Sequence, residues 1–306
     1  MPAALETAAD RQSSREERVA GEGVLEQPAC PLCGESSAGE PAYRFPPYAV
    51  VRCRNCSFWY LRPRLGEGSM REAYARDSYF EGAGLGYRSY LAQEATLRLS
   101  FRRFLGELAA RGIAGAPGGP GGRLLEIGCA YGFFLEESRH AFAWRVGTDY
   151  APAAVEIART RADRVYLGGI EALAESQPFD CAACIHVIEH IYEPRQFIAD
   201  LLGRLRPGGW VVLATPNMGS LWRRLMGPRW PFFKVPEHVT YFDRRTLRRL
   251  LRDCGCEEVQ MVPYASVFSL EMIGEKLGWQ APAFARRLRL WLPGTTIAAA
   301  GRKPAG

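Results

Sequence analysis

Two pairs of cysteines near the N-terminus have the spacing of metal ligands. Cys30 and Cys33 form one C-x-x-C sequence, and Cys53 and Cys56 form another after an interval of 19 residues. Each pair can supply two thiolates from one turn, and four thiolates fill the tetrahedral shell of Zn²⁺. The sequence therefore predicts a small zinc ribbon with one structural Zn²⁺, because a closed shell leaves no position for chemistry. Disulfides are the alternative, but nothing in the sequence indicates an oxidising compartment.

A second group of residues has the pattern of a nucleotide-cofactor loop. The apolar run at 124–127 predicts a strand buried on both faces, and Gly128 and Gly132 bracket the turn that follows. Dinucleotide folds use G-x-G-x-x-G, whereas this loop reads E-x-G-x-x-x-G, with a carboxylate that suits a cationic, amino-bearing ligand. The loop residues expected to contact the cofactor are Glu126, Gly128, Cys129, Ala130, Tyr131 and Gly132.

An acid follows the next predicted strand. Asp149 lies 17 residues after Gly132, at the end of the strand predicted for residues 144–149. A carboxylate at such a strand end can accept hydrogen bonds from both hydroxyls of a ribose. We therefore expect Asp149, with the adjacent Tyr150, to contact an adenosine moiety. His186, near the end of a later strand, is expected to contact the cofactor or to shape its pocket.

Four motifs in order carry a resemblance to a known family. E-I-G-C-A-Y-G, the acid Asp149, H-V-I-E-H-I at 186–191 and L-R-P-G-G-W-V-V-L-A-T-P-N at 205–217 together resemble class I S-adenosylmethionine-dependent methyltransferases. The resemblance covers about residues 121–262 and a closing segment at 296–303. It implies an α/β fold with a Rossmann-like seven-stranded sheet, the last strand antiparallel, and S-adenosylmethionine as cofactor.

These patterns predict the organisation of the chain. Residues 1–27 read as a charged, disordered tail, 28–66 as the zinc ribbon, 67–120 as a helical connector and 121–306 as the methyltransferase domain. An insertion at 218–242 is too long for a simple loop, so we expect it to form a helical lid. Asp243 is expected to cap the helix that follows, and residues 266–291 are predicted to form further helical cover.

Methyl transfer needs an in-line geometry and, for a hydroxyl or activated-carbon acceptor, a base. His238 is the first candidate for that base because it follows Glu237 in the insertion, where the family places its acceptor. Glu237 is expected to orient or support it. His190, after the fourth core strand, is the second candidate. The Glu-His pair could instead anchor the lid.

The zinc ribbon and the sequence P-E-H-V-T-Y-F at 236–242 also resemble the zinc-containing sugar C-methyltransferases that act on nucleotide-linked deoxysugars. In those enzymes the histidine that matches His238 is a proposed base. The chain is expected to lack their large C-terminal domain, since it ends soon after the core. Quinone and natural-product O-methyltransferases resemble the core equally well, so the acceptor stays open between these classes.

Two other functional classes remain open. A ribosomal RNA base methyltransferase can carry a zinc ribbon, and arginines at 223–252 could contact phosphate, although H-V-I-E-H is not the motif of exocyclic-amine methyltransferases. A non-catalytic, cofactor-binding scaffold is the other class. The net charge of +6 does not require nucleic acid. With no apolar run of about 18–20 residues and no signal sequence, we expect a cytoplasmic protein that acts on a small molecule without a membrane; the oligomeric state stays undetermined.

Overall fold

The structure is a computed structural model and describes residues 24–37, 39–74, 90–115, 121–277, 282, 284 and 288–306. Most of the predicted tail lies outside these residues, as do residues 75–89 and 116–120 of the predicted connector. The strands are β1 (Leu25–Glu26), β2 (Pro41–Phe45), β3 (Tyr48–Arg52), β4 (Trp59–Leu61), β5 (Arg64–Leu65), β6 (Arg123–Ile127), β7 (Trp144–Asp149), β8 (Arg164–Leu167), β9 (Phe179–Ile185), β10 (Leu205–Pro216), β11 (Thr240–Tyr241), β12 (Glu258–Val262), β13 (Ala265–Ser269), β14 (Arg289–Pro293) and β15 (Thr296–Arg302). The α-helices within these ranges are α1 (Glu67–Tyr74), α2 (Glu94–Ala109), α3 (Phe133–Glu137), α4 (Pro152–Ala158), α5 (Pro194–Arg204), α6 (Leu221–Met226), α7 (Arg244–Asp253) and α8 (Leu270–Leu277).

A seven-stranded sheet forms the core, with the strand order β12-β15-β10-β9-β6-β7-β8. The five strands from β8 to β10 pair in parallel, whereas β15 runs antiparallel to both β10 and β12. The predicted Rossmann-like sheet and its closing antiparallel strand are therefore confirmed. The order reverses between β6 and β9, and in such sheets ligands bind at the carboxyl ends of the strands beside that switch point.

The strand β6 shows why the sheet is buried on both sides. Leu124 packs into the apolar core on one face, whereas Leu125 and Ile127 pack into the core on the other. Side chains of a strand alternate between faces, so a continuous apolar run requires cover on both. Cys181 and Cys184 of β9 divide between the same two cores, as packing residues do.

The ribbon region forms a second sheet of four strands, in the order β11-β4-β3-β2. Three of these strands, β2, β3 and β4, lie within the predicted ribbon at 28–66. The fourth strand, β11, comes from the predicted lid, and Thr240 pairs with Tyr60 in antiparallel register. The ribbon and the lid thus share one sheet, a pairing that the sequence pattern did not indicate.

The prediction of helical cover at 266–291 is wrong for much of the described part of that segment. The strands β13 and β14 pair antiparallel, and α8 follows β13. Val267 of β13 donates its N–H to Ser100 Oγ of α2 at 2.9 Å, which fixes the strand against that helix. Residues of β14 alternate between exposed and half-buried, the two-residue period of a strand with one solvent face.

The predicted lid contains helix α6 and a short 3₁₀ turn at Gly227–Arg229. Asp243 caps α7 as expected, since its Oδ1 accepts from the Thr246 N–H at 2.7 Å and Thr246 Oγ1 accepts from the Asp243 N–H at 3.0 Å. Among the described residues, no helix is both long and apolar enough to cross a bilayer.

Candidate active site

The loop between β6 and α3 is shaped by left-handed backbone positions. Gly128 and Gly132 have φ of +68° and +74°, and Gly132 is the N-cap of α3. A Cβ at Gly128 would lie 2.6 Å from Val187 Cγ2, so both the backbone angle and the space require glycine. The loop is thereby held tightly against the end of β9, where a ligand can approach its backbone.

Asp149, at the end of β7, is held by backbone donors. Its Oδ2 accepts from the N–H of Ala130 at 2.8 Å, and its Oδ1 accepts from the N–H of Ala151 at 3.0 Å. Each carboxylate oxygen keeps a further lone pair. The side chain is therefore oriented and still able to accept hydrogen bonds from a ligand.

Two buried carboxyl groups at this end of the sheet lack a positive partner among the described residues. Burial raises the pKa of Glu126 well above its usual value, and the nearby charge of Asp149 raises it further. Burial also raises the pKa of Asp149, against the lowering effect of its backbone hydrogen bonds. Glu126 Oε2 is buried with no hydrogen-bond partner among the described residues. A cationic ligand bound here would stabilise the ionised form of both carboxyl groups, in line with the ligand charge that the loop sequence predicts.

A cavity of about 380 Å³ runs along the carboxyl ends of β6, β7 and β9. Its walls include most of the predicted cofactor residues, namely Glu126, Gly128, Cys129, Ala130, Asp149, Tyr150 and His186. Tyr131 and Gly132 are not part of the wall: Tyr131 packs edge-on against Tyr90 with ring centroids 5.4 Å apart, and Gly132 begins α3. The structure therefore brings distant motifs to one cavity.

Glu171 is a cavity residue that no sequence motif indicated. Its Oε1 accepts from Tyr150 Oη at 2.8 Å and from the N–H of Gly169 at 2.9 Å. The guanidinium of Arg71, on α1, lies 5.8 Å from the centroid of the Tyr150 ring. Helix α1 of the predicted connector thus closes the cavity on the side of Tyr150.

Glu189 is a buried acid that sequence reasoning did not select. Its Oε1 lies 3.3 Å from His186 Nδ1, and its Oε2 accepts from Thr215 Oγ1 at 2.9 Å. Burial opposes its ionisation, but the hydrogen bond from His186 outweighs this effect, so the pKa of Glu189 lies below its usual value. Glu189 thus orients His186, whose backbone has a φ of +57°.

The two candidate bases are neighbours in space. The rings of His190 and His238 meet edge to face with centroids 4.7 Å apart. His190 lies on the cavity wall, whereas His238 and Glu237 are not part of it and are almost fully buried. His190 therefore faces the cavity and His238 lies behind it, while the choice of base between them stays a prediction.

Backbone carbonyls fix the orientation of both imidazoles. His190 Nδ1 lies 3.0 Å from the carbonyl oxygen of Glu237, and His238 Nδ1 lies 2.9 Å from that of Phe232. A carbonyl oxygen can only accept, so Nδ1 carries the hydrogen in each ring and Nε2 is the basic atom. Burial lowers the pKa of both histidines, for His238 well below its usual value. Both rings are therefore neutral at neutral pH and suited to accept a proton.

The four ribbon cysteines converge as predicted. Their sulfur atoms all lie within 4.8 Å of one another, with Cys30 Sγ 3.5 Å from Cys56 Sγ and Cys33 Sγ 3.6 Å from Cys53 Sγ. A tetrahedron of Zn–S bonds of about 2.3 Å has edges of about 3.8 Å. The N–H of Gly34 donates to the Cys30 carbonyl at 2.8 Å, and the N–H of Ser57 makes the equivalent bond to Cys53 at 2.9 Å. This arrangement fits a four-thiolate zinc site.

The arginines considered for RNA contacts are partly engaged within the protein. Arg245 donates to the Cys56 carbonyl at 2.7 Å, Arg249 pairs with Asp253 at 3.1 Å, and Arg223 donates to Tyr43 Oη at 2.7 Å. The contacts of Arg245 and Arg223 hold α7 and the lid against the ribbon, whereas the Arg249–Asp253 pair lies within α7.

The sequence model of a family described as methyltransferase domain matches residues 87–261, which is more than half of the chain. The chain belongs to this family. With the loop, Asp149 and the sheet order in place, it is a class I S-adenosylmethionine-dependent methyltransferase.

Two curated relatives are similar to the methyltransferase part of the chain. The mitochondrial ubiquinone biosynthesis O-methyltransferase of Schizosaccharomyces pombe is 32% identical over 114 residues, 34% of this chain and 42% of the relative. The ubiquinone biosynthesis O-methyltransferase of Maricaulis maris is 30% identical over 158 residues, 47% of this chain and 62% of the relative. The chain thus spans about half the length of these relatives.

A solved structure of this methyltransferase's fold comes from Thermotoga maritima. That protein, a SAM-dependent methyltransferase and possible histamine N-methyltransferase, is 20% identical with a TM-score of 0.50. The similarity covers 70% of this chain and 92% of that protein. This structural similarity supports the assignment of the core sheet to the methyltransferase fold.

Proposed function

We propose that this methyltransferase transfers the methyl group of S-adenosylmethionine to an oxygen of a small-molecule acceptor. One observation carries the proposal: a single cavity joins the cofactor loop and Asp149 to the imidazole of His190. Donor and acceptor bound in one cavity can meet in line, which is most of what a sulfonium methyl donor requires. Asp149 would bind the ribose, and Glu126 would face the cationic part of the cofactor.

His190 is the proposed general base. As the acceptor oxygen forms its bond to the methyl carbon, the C–S bond breaks and its electron pair stays on sulfur, which gives S-adenosylhomocysteine. The acceptor proton moves to His190 Nε2. His238 would be a positioning residue, since its ring contacts that of His190, and the segment that contains Glu237 holds His190 Nδ1.

A phenolic hydroxyl is the acceptor class that we propose first, because the curated relatives are named as O-methyltransferases of ubiquinone biosynthesis. A neutral imidazole can take the proton of a phenol during methyl transfer. Nucleotide-linked sugars and other natural products, considered from the P-E-H-V-T-Y-F motif, are the alternative acceptors.

The proposal is tested with S-adenosylmethionine labelled in its methyl group. The purified protein is incubated with phenols, nucleotide sugars and total RNA, and each fraction is examined for label and for a mass gain of about 14 Da, one CH₂. Label on a phenol supports the proposal. Label on RNA or on a nucleotide sugar alone would overturn the acceptor class. Cofactor binding with no transfer to any acceptor class would favour a scaffold.

The ribbon, proposed as residues 28–66, is expected to bind one zinc ion per chain. Cys30→Ser should remove the metal and loosen the ribbon, because three thiolates no longer complete the shell. Elemental analysis of protein purified under reducing conditions measures the zinc. Cys254→Ser, which changes a cysteine outside the cluster, is the matched control and should keep one zinc. Iron in the parent protein, or no metal, would contradict the prediction.

Cofactor binding is expected to weaken in acid. The pKa values of Glu126 and Asp149 are raised in the structure without ligand, whereas a cationic cofactor favours the ionised carboxylates. Lowering the pH protonates these groups, so affinity should fall, and binding near neutral pH should release protons. Calorimetry in two buffers of different ionisation enthalpy measures that release. Proton uptake on binding would contradict the predicted pH dependence.

A further inference from the structure

Val239 joins the ribbon to the proposed active site through its own peptide groups. Its carbonyl oxygen accepts from the N–H of Leu61, at the end of β4, at 2.9 Å. Its N–H donates to the carbonyl oxygen of Glu189 at 2.9 Å. One residue, next to His238, is therefore bonded on one side to the ribbon and on the other to the residue that precedes His190.

Other contacts tie the same segment from both sides. Towards the core, Thr240 Oγ1 donates to the carbonyl oxygen of Ile188 at 2.9 Å. Towards the ribbon, the ring of Phe242 lies 4.8 Å from that of Phe58, which is two residues beyond Cys56. The side chain of Thr240 is fully buried. Residues 238–242 thus lie between the ribbon and the core sheet, and all five are buried.

The strands that carry the cofactor loop pair only with other strands of the core sheet. Gly128 and Asp149 lie at the ends of β6 and β7, whose paired neighbours are β9 and β8, all within the seven-stranded sheet. The ribbon strands pair among themselves and with β11. The strand β11 is therefore one direct backbone link between the ribbon and the acceptor end of the cavity.

We propose that the four-cysteine ribbon, with its zinc bound, positions the acceptor side of the active site: it holds β11 in the ribbon sheet and thereby places His238 and the Glu237 carbonyl against His190. This inference rests on the proposed role of His190. Binding of a structural zinc ion contributes to the folding free energy of the small unit that holds it. Loss of the metal should therefore release β4, and with it the Leu61–Val239 bond and the β4–β11 pairing.

The inference is tested by hydrogen–deuterium exchange on the full chain, in parent, Cys53→Ser and Cys254→Ser proteins. In Cys53→Ser we expect amides of residues 238–242 to exchange at least about tenfold faster, while those of β6 are unchanged. Affinity for S-adenosylhomocysteine, measured by calorimetry, should stay within about threefold. Cys254→Ser, with its ribbon ligands intact, should behave as the parent.

Chelation of zinc from the parent protein, followed by its return, gives a second measurement if the variant does not fold. Added zinc should restore the slow exchange at 238–242. Unchanged exchange there, with fast exchange confined to the ribbon, would show that the ribbon is an independent appendage. Loss of S-adenosylhomocysteine binding on chelation would also overturn the proposal, because the ribbon would then support the whole core. Neither readout needs turnover, so this inference can fail while the proposed methyl transfer stands, and the reverse.

Discussion

Replacing His190 with alanine is expected to lower kcat by about 10²–10⁴-fold, the usual contribution of a general base. The affinity for S-adenosylhomocysteine should change little, because Asp149 and the Gly128 loop are the residues proposed to bind the cofactor. His140→Ala is the matched control, since His140 is exposed in the 3₁₀ turn after α3 and is not part of the cavity wall. Steady-state kinetics with the acceptor found by methyl labelling, together with calorimetry, measure the two quantities separately.

The pH profile gives this expectation a second readout. Burial lowers the pKa of His190, so the imidazole stays neutral below its usual pKa of about 6.5. Activity should therefore persist below pH 6.5 and fall only as the pH drops through the lowered pKa. With S-adenosylmethionine kept saturating at each pH, the acid limb of kcat should be absent from the residual activity of His190→Ala.

His238→Ala separates the two histidines. If His238 only positions His190, its loss should cost less in kcat than the loss of His190 and should shift the acid limb without removing it. Near-parental turnover in His190→Ala together with a collapse in His238→Ala would assign the base to His238, as the Glu237-His238 adjacency first suggested. Parental turnover in both variants would show that neither histidine is a general base and that the enzyme acts by positioning its two substrates.

Asp149→Ala is expected to weaken cofactor binding by about 30- to 1000-fold. The variant loses the acceptor of two hydrogen bonds from ribose hydroxyls, a loss of about 2–4 kcal/mol for bonds to a charged group. It also loses the bonds that the carboxylate accepts from the Ala130 and Ala151 amides, which orient the loop. Calorimetric titration with S-adenosylhomocysteine measures the change.

Two further variants show whether the lost affinity belongs to the carboxylate. Asp149→Asn keeps the shape and one acceptor, so its affinity should lie between those of the parent and the alanine variant. Glu156→Ala removes an exposed acid from the neighbouring helix α4 and should bind as the parent does. Parental affinity in Asp149→Ala would exclude the ribose contact.

The sequence alone determined those features of the protein that depend only on residues close together in the chain. The buried strands, the turn that requires Gly128, the acid after β7 and the cap at Asp243 each follow from local sterics and from the spacing of apolar side chains. The two C-x-x-C turns belong to the same class, because each half of the metal site lies within four residues. The sequence pattern at 266–291 did not show that β13 and β14 are strands and not helices. Their conformation depends on contacts with the distant helix α2.

Only the tertiary structure decided which distant groups meet. Glu237 binds His190 across 47 residues of chain, and the Val239 carbonyl accepts from Leu61 across a still longer interval. No local pattern records such contacts, because they arise when the ends of parallel strands reach one edge of the sheet and the lid folds back on the ribbon. The burial of Glu189 and the placement of Glu171 beside Tyr150 have the same origin. The motifs thus identified a methyltransferase, while packing between distant segments decided which histidine faces its cavity.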